Sequence, residues 1–522
     1  MNKRFLLLLL LSTLIYFANL GGPSIYILDE AKNAGCAMEM AQRQDIIVPT
    51  FNGSLRTDKP PLHYFFMMAA YRILGSTPFA ARLFSALAGI VLICFLYKQI
   101  TKIVNEPTAF YTCLVLLSSM QLAVQFHLAV PDPYLILWLT ICFFSFYTGF
   151  HHSDRSIYGM YVAAALAFMT KGLIAIVFPG LVIFIYLLST RQMNWKNIRR
   201  LRIIPGAFLF LLIALPWYIS VGYATDGMWL RGFFIEHNLD RYTSTMEGHR
   251  GFPLAPFVIL IGALLPFSVF IIQSVSLAIK KRTETPFLLY CLIIVLVIAG
   301  FFSFSKTILP SYPAPALPFL ALLLGYFLHH IMEANSKTKI SLHISFAINL
   351  LICLAVPIVI YFALQQESQL SSLQPVAWLF VVLPIGSMMG WYFFIQKKKI
   401  LFISFWSGSW MVAALLFFYV AFPKVDQKNP VSESLPLFTE DYKNHTIVAY
   451  KQFNPAYVFN LRKTIKVIDS TEQINMLDSS GNKVLIITRA SHLEDFNSYP
   501  DFKIIYQGRD LFEGSETVVL AN

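Results

Sequence analysis

The chain has 522 residues, of which 57% are hydrophobic and 13% charged, with a formal net charge of +12. So little charge excludes a soluble multidomain protein and marks a polytopic α-helical membrane protein. The basic excess lies in short turns between apolar runs, which reports membrane orientation and argues against nucleic acid as a partner.

Taken in chain order, apolar runs near 20 residues, the length that crosses hydrocarbon, predict about thirteen spans. They cover 5–22, 79–97, 108–129, 133–150, 157–170, 172–189, 203–222, 254–279, 286–304, 312–331, 342–364, 376–395 and 400–422. Lys3-Arg4 before a leucine run reads as the cytoplasmic flank of a retained first span rather than a cleaved signal peptide, because the small residues near Ala18 and Gly21 are poorly placed for cleavage. With that end cytoplasmic, every strongly basic turn falls on one side: Lys98 and Lys102, Arg155, the Arg191–Arg202 cluster, Lys280–Arg282, Lys337 and Lys339, and Lys397–Lys399. Residues 157–190 satisfy this rule only as two short helices broken at Thr170-Lys171-Gly172.

The first long polar interruption runs from Leu28 to His63, within an expected outer loop over 23–78. Ala31, Ala34, Ala37, Met38 and Ala41 recur at helical spacing and predict an amphipathic helix along the membrane surface. Pro60 to Gly75 reads as a second interfacial helix. A second outer loop spans 223–253, and a third outer turn holds Ser303 to Thr307. After the transmembrane domain at 1–422, residues 423–522 have the composition of a small soluble domain, with β-type runs at Thr446–Tyr450, Ile465–Ile468, Lys483–Thr488 and Lys503–Tyr506. It falls on the same side as the first loop. Five of six cysteines lie inside apolar runs and Cys36 stands alone in the polar loop, so no disulfide framework or thiolate metal site is visible.

Ionisable groups beside hydrocarbon are costly and mark sites or pathways. On this topology Asp29, Glu30, Asp58, Lys59, Arg82, Asp132, Lys171, His237, Arg241 and Lys306 converge at one face. Any one lysine or arginine can snorkel to the interface. Several cations from separate loops repel unless an anion sits between them, and a phosphate at headgroup level fits that need. Asp29 with Glu30 reads either as a helix N-terminal acidic pair or as a source of a base beside that phosphate. Asp132 between two prolines reads as a helix cap or a site residue. Asp58 and His237 offer two metal ligands without a visible third.

Several short motifs occur together in order: Asp29-Glu30, Asp58-Lys59-Pro60-Pro61-Leu62, Ala81-Arg82-Leu83-Phe84-Ser85, Asp132, Thr170-Lys171-Gly172, Glu236-His237-Asn238 with Arg241, and Phe304-Ser305-Lys306. This series resembles the ArnT-like/protein O-mannosyltransferase group of GT-C glycosyltransferases, and the C-terminal α/β unit resembles that of the lipid A aminoarabinose transferases. The resemblance implies a GT-C fold and a polyprenyl-phosphate-linked sugar donor used at the outer face of the bacterial inner membrane. The acceptor it implies is lipid A, another envelope glycan or a protein. It implies Asp29 as the principal catalytic acid residue, with Glu30 beside it and Asp132 organising the pocket. Lys59, Arg82, Lys171, Arg241 and Lys306 would hold the donor phosphate. It also implies a divalent metal such as zinc between Asp58 and His237, although Asp58 is shorter than the usual Glu. The position three after Asp29, often arginine in the family, is Lys32 here, so a forked donor is lost.

These readings combine into a single displacement in which an acceptor hydroxyl, deprotonated by Asp29, attacks the anomeric carbon and the polyprenyl phosphate leaves against the cations. Two rivals are a flippase for a lipid-linked sugar, which calls for charged residues near the midplane, and a scaffold that captures a partner through its C-terminal unit.

Overall fold

The computed structural model describes residues 2–153, 155–240, 252–305, 308–333, 340–479, 483–511 and 513–522. Among the described residues, each of the thirteen expected apolar runs contains helix. Eight helices are long and apolar enough to cross a bilayer, or up to ten if two bent pairs each count as one. The pairs are Glu106–Leu117 with Met120–Phe126, bent by 73°, and Ala255–Ala263 with Phe267–Lys280, bent by 115°. The remaining three runs form helices of 14 or 16 residues, Lys3–Tyr16 (α1), Ser156–Lys171 and Ile174–Ser189. At 1.5 Å per residue such helices reach only ~21–24 Å, short of the ~30 Å hydrocarbon layer. By length and composition alone, ten of the thirteen expected runs among the described residues hold a helix or bent pair long enough to cross, and the other three hold shorter helices.

Residues 157–190 do divide into two helices. Gly172 at the break has φ +73°, and a Cβ there would meet the Phe233 ring at 2.5 Å. Glycine is required on both counts, and the break leaves Lys171 at the very end of its helix.

The first loop begins with a helix at Leu28–Arg43 (α2), with Asp29 and Glu30 in its first turn, where the helix dipole favours acids. A hairpin of Thr50–Phe51 (β1) and Ser54–Leu55 (β2) follows, and then the helix Leu62–Leu74 (α3) leads to Pro78–Ile103 (α4). The hairpin turns on Asn52-Gly53, both at positive φ, the pair such tight turns favour. Glu39 on α2 clamps it, accepting from Thr50 Oγ1 at 2.7 Å and from the Gly53 backbone N–H at 3.2 Å.

α2 is enclosed along most of its length. Glu30, Ala31 and every residue from Asn33 to Met40 are buried. What covers the helix is the C-terminal unit, some 400 residues later in the chain, so no local pattern announces it. That unit is a five-stranded sheet in the order β4-β3-β5-β7-β6, with β3 Thr446–Tyr450, β4 Lys466–Ile468, β5 Val484–Arg489, β6 Lys503–Arg509 and β7 Glu516–Ala521. β3 pairs in parallel with β4 and β5, while β7 pairs antiparallel with β5 and β6. The strand at β7 adds to the four that the sequence suggests.

One face of the sheet shares an apolar core with α2 and α3, joining Ala34, Ala37 and Met38 to Val458, Leu485 and Val519. Small residues also let the hairpin pack on α2: a Cβ on Gly35 would sit 2.8 Å from the Phe51 ring. Polar ties seal the same junction. Asn52 bonds both ways with the Ile465 backbone, at 2.9 and 2.7 Å, and Asn460 Nδ2 donates to Ile25 O at 2.9 Å. A separate, larger core fills the helical bundle.

Candidate active site

The first turn of α2, the loop after the hairpin, the start of the helix Asp132–His151 and the end of Ser156–Lys171 meet around one cavity of about 340 Å³. Asp29, Lys32, Asp58, Lys59, Asp132 and Lys171 line it, and His237 borders it from the segment Gly232–Asp240. Apolar side chains line it as well, among them Leu28, Ile174, Phe301, Phe302 and Leu309, together with Tyr312. Cationic and hydrocarbon groups lining one cavity suit a ligand with an anionic head and an apolar tail.

Asp29 is 49% exposed in side chain, opening on the cavity, with Arg56 Nη2 at 3.9 Å from its Oδ1. Burial pushes its carboxyl up, but Lys59, Arg56 and Lys171 together outweigh burial and hold it below the usual carboxylate range. Asp29 is therefore ionised at neutral pH. Lys171 Nζ donates to Asp132 Oδ1 at 2.6 Å and sits 5.4 Å from the centre of the Tyr312 ring. Among the described residues, no carboxylate lies within 4 Å of the Lys59 ammonium, which fits it to receive an anionic ligand.

Two expected site residues stand elsewhere. Glu30 and Arg82 do not line the cavity; both are buried and form a bidentate pair, Nε to Oε1 at 2.7 Å and Nη2 to Oε2 at 2.8 Å. Arg82 spends its remaining donors on the carbonyls of Leu20, Pro23 and Ser24 at 2.9–3.1 Å, and Glu30 accepts from the Ala129 N–H at 2.8 Å. The guanidinium is saturated by protein, so this pair braces the link from α1 to α2, and the donor-phosphate role expected of Arg82 and the catalytic role expected of Glu30 find no support in its geometry. Arg241 and Lys306 lie outside the described residues.

Asp58 and His237 do border the same cavity. However, Asp58 Oδ2 already accepts from Arg56 Nη2 at 2.8 Å, and no group of three or more His, Cys, Asp or Glu placed to share an ion occurs among the described residues. Catalytic zinc takes three protein ligands, of which Asp58 and His237 would be two.

Arg56 is the residue that sequence reasoning passed over. It is 5% exposed, and its Nη2 reaches Asn33 Oδ1 at 3.1 Å as well as Asp58 and Asp29. Its position two before Asp58, directly after the second strand of an Asn-Gly hairpin, is the signal that was available. Tyr312, on the proline-rich approach to the helix Leu317–Glu333, gives no comparable signal.

Residues 58–219 match the family described as dolichyl-phosphate-mannose-protein mannosyltransferase. An uncharacterised protein of Aquifex aeolicus is 30% identical over 331 residues, which cover 63% of this chain and 74% of the relative. The undecaprenyl phosphate-alpha-4-amino-4-deoxy-L-arabinose arabinosyl transferase of Pseudomonas savastanoi is 28% identical over 426 residues, 78% of this chain and 76% of the relative. The crystal structure of ArnT from Cupriavidus metallidurans bound to undecaprenyl phosphate superposes with a TM-score of 0.83 at 20% identity, covering 99% of this chain and 97% of that one. In fold and in sequence, then, this multi-pass membrane protein belongs to the ArnT-like and protein mannosyltransferase family of GT-C glycosyltransferases.

Proposed function

We propose that the protein moves a sugar from a polyprenyl-phosphate-linked donor to a hydroxyl or phosphate acceptor on lipid A, an envelope glycan or a protein, at the outer face of the bacterial cytoplasmic membrane. The N-terminus is then cytoplasmic, and both the 23–78 loop and the 423–522 unit lie outside. The observation that carries this reading is Asp29 sharing one cavity with Lys59, Lys171 and a set of apolar side chains. The named activity of the Pseudomonas relative supports the donor class.

In the reaction, the acceptor oxygen attacks the anomeric carbon as its C–O bond to the donor phosphate breaks. Asp29 orients the acceptor and takes its proton, and the polyprenyl phosphate leaves with its charge met by Lys59. A carboxylate held low in pKa is a good anchor but a weak base. The donor phosphate, once seated among the lysines, offsets the field that depresses Asp29, so the base strengthens as substrate arrives. Asp132 acts by fixing Lys171. A divalent ion at Asp58 and His237 would need a further ligand and the release of Asp58 from Arg56.

Lipid mass spectrometry of cells lacking the gene, against cells carrying wild type or Asp29→Asn, tests the proposal. The expected result is an accumulated glycosyl polyprenyl phosphate and one envelope molecule lacking the same sugar, in both the deletion and the Asp29→Asn cells. An unchanged lipid-linked pool with normal sugar transfer in vitro by Asp29→Asn overturns it.

A further inference from the structure

Arg56 has three carbonyl or carboxylate oxygens around one nitrogen and almost no contact with solvent. Its Nη2 lies 2.8 Å from Asp58 Oδ2, 3.1 Å from Asn33 Oδ1 and 3.9 Å from Asp29 Oδ1. Asn33 stands one helical turn after Asp29 on α2, whereas Asp58 belongs to the loop that presents Lys59. The guanidinium thus ties the element bearing the carboxylate to the element bearing the cation.

The protein also holds Arg56 itself with care. Its carbonyl accepts from the Trp229 indole at 2.8 Å, and its N–H donates to Pro49 O at 2.9 Å across the mouth of the hairpin. Gly232 presses on the next residue, since a Cβ there would meet Thr57 Oγ1 at 2.6 Å. A buried arginine fixed by three separate segments is an expensive feature, and its outward-facing partners are cavity residues.

We propose that Arg56 is a positioning residue for sugar transfer: its Nη2, held between Asn33 on the helix of Asp29 and Asp58 on the arm of Lys59, sets the separation between the Asp29 carboxylate and the Asp58-Lys59 arm. It touches neither donor nor acceptor. The inference rests on the proposed role of Asp29. A static charge between the two acids also favours the ionised form of Asp29, together with Lys59 from the same loop and Lys171 from the facing helix, while His63 on α3, close by, is held neutral by its burial. Lys32, Asp58, Asp132 and His237 border the same space, and Arg241 and Lys306 lie outside the described residues.

The test uses full-length protein in proteoliposomes, with envelope lipids extracted from the deletion strain as the source of donor and unmodified acceptor. Arg56→Gln is expected to lower kcat about 100-fold, the scale of a ~1 Å misplacement of reacting groups. The donor KM should stay within about threefold, and the acid limb of kcat/KM should move to higher pH because the charge is gone. Arg56→Lys keeps the charge, but its shorter side chain draws the nitrogen back from the oxygens that Nη2 reaches, so the acid limb should stay in place while kcat still falls about tenfold. A wild-type kcat in Arg56→Lys, or an unmoved acid limb in Arg56→Gln, overturns the proposal. If Arg56→Gln fails to insert, Arg56→Lys alone decides through kcat. Asp29→Asn run in parallel separates the two ideas: full turnover there defeats the role of Asp29, whereas its inactivity beside an unaffected Arg56→Lys defeats only the role of Arg56.

Discussion

Lys171 and Asp132 meet at 2.6 Å across the cavity wall, joining the last residue of one helix to the first residue of another. Both side chains are largely buried, so each depends on the other to offset its desolvation. Removing one partner should therefore be worse than removing both. Lys171→Met is expected to cost about 3 kcal/mol by leaving a buried carboxylate unpaired. The double variant Asp132→Asn with Lys171→Met should recover most of that loss in thermal unfolding of the detergent-solubilised protein. If Lys171 also meets the donor phosphate, the double variant stays slow in transfer; recovery of stability and turnover together makes the pair a brace alone.

Lys59 has no such partner among the described residues, and a departing phosphate needs a cation. Lys59→Ala should reduce kcat/KM for the lipid-linked donor by about 100-fold or more, the loss typical of one preorganised charge donor. Arg72→Ala, on the exposed side of α3, should leave it within about twofold, since exposed charges contribute little. Equal losses in the two variants would count against a phosphate at Lys59.

Much of this arrangement is legible in the chain because charges are rare in it. Asp29, Asp58, Lys59, Asp132 and Lys171 stand out against apolar surroundings, and the orientation rule brings them to one side without any structure. What the sequence could not decide is the difference between Asp29 and Glu30. Consecutive residues on a helix point about 100° apart. Asp29 turns to the cavity and Glu30 into the protein, and only the placement of Arg82 on α4 reveals which is which. Arg56 was hidden for the opposite reason, since an arginine in a polar loop looks solvated until residues from α2 and the second outer loop enclose it. The burial of α2 depended on a sheet contributed by the far end of the chain.

The Glu30–Arg82 brace makes a prediction that separates it from the catalytic group. Arg82→Leu should destabilise the protein by about 3–5 kcal/mol, because the buried Glu30 carboxylate loses its counter-charge. The folded fraction that survives should show an unchanged donor KM. Size-exclusion chromatography followed by kinetics on the monodisperse peak checks this, and a KM raised tenfold would return Arg82 to the donor site.

His63 supplies a stability signature with a definite sign. It is fully buried on α3, and burial, with Arg56 and Lys59 nearby, holds its imidazole well below the usual histidine range. In the folded protein it stays neutral at pH values where the unfolded chain protonates. The unfolded state then binds more protons as pH falls below ~6.5, so stability is complete above that value and declines below it, by up to about 1.4 kcal/mol per pH unit. His63→Gln removes this term while keeping a polar group near Asn33, whose Oδ1 lies 3.3 Å from His63 Nε2. Thermal unfolding at pH 7.5 and 5.5 should show a larger drop for wild type than for His63→Gln, by about 1 kcal/mol. Equal drops would mean that His63 protonates as readily in the folded state as in the unfolded one, which the enclosing Arg56 and Lys59 charges oppose.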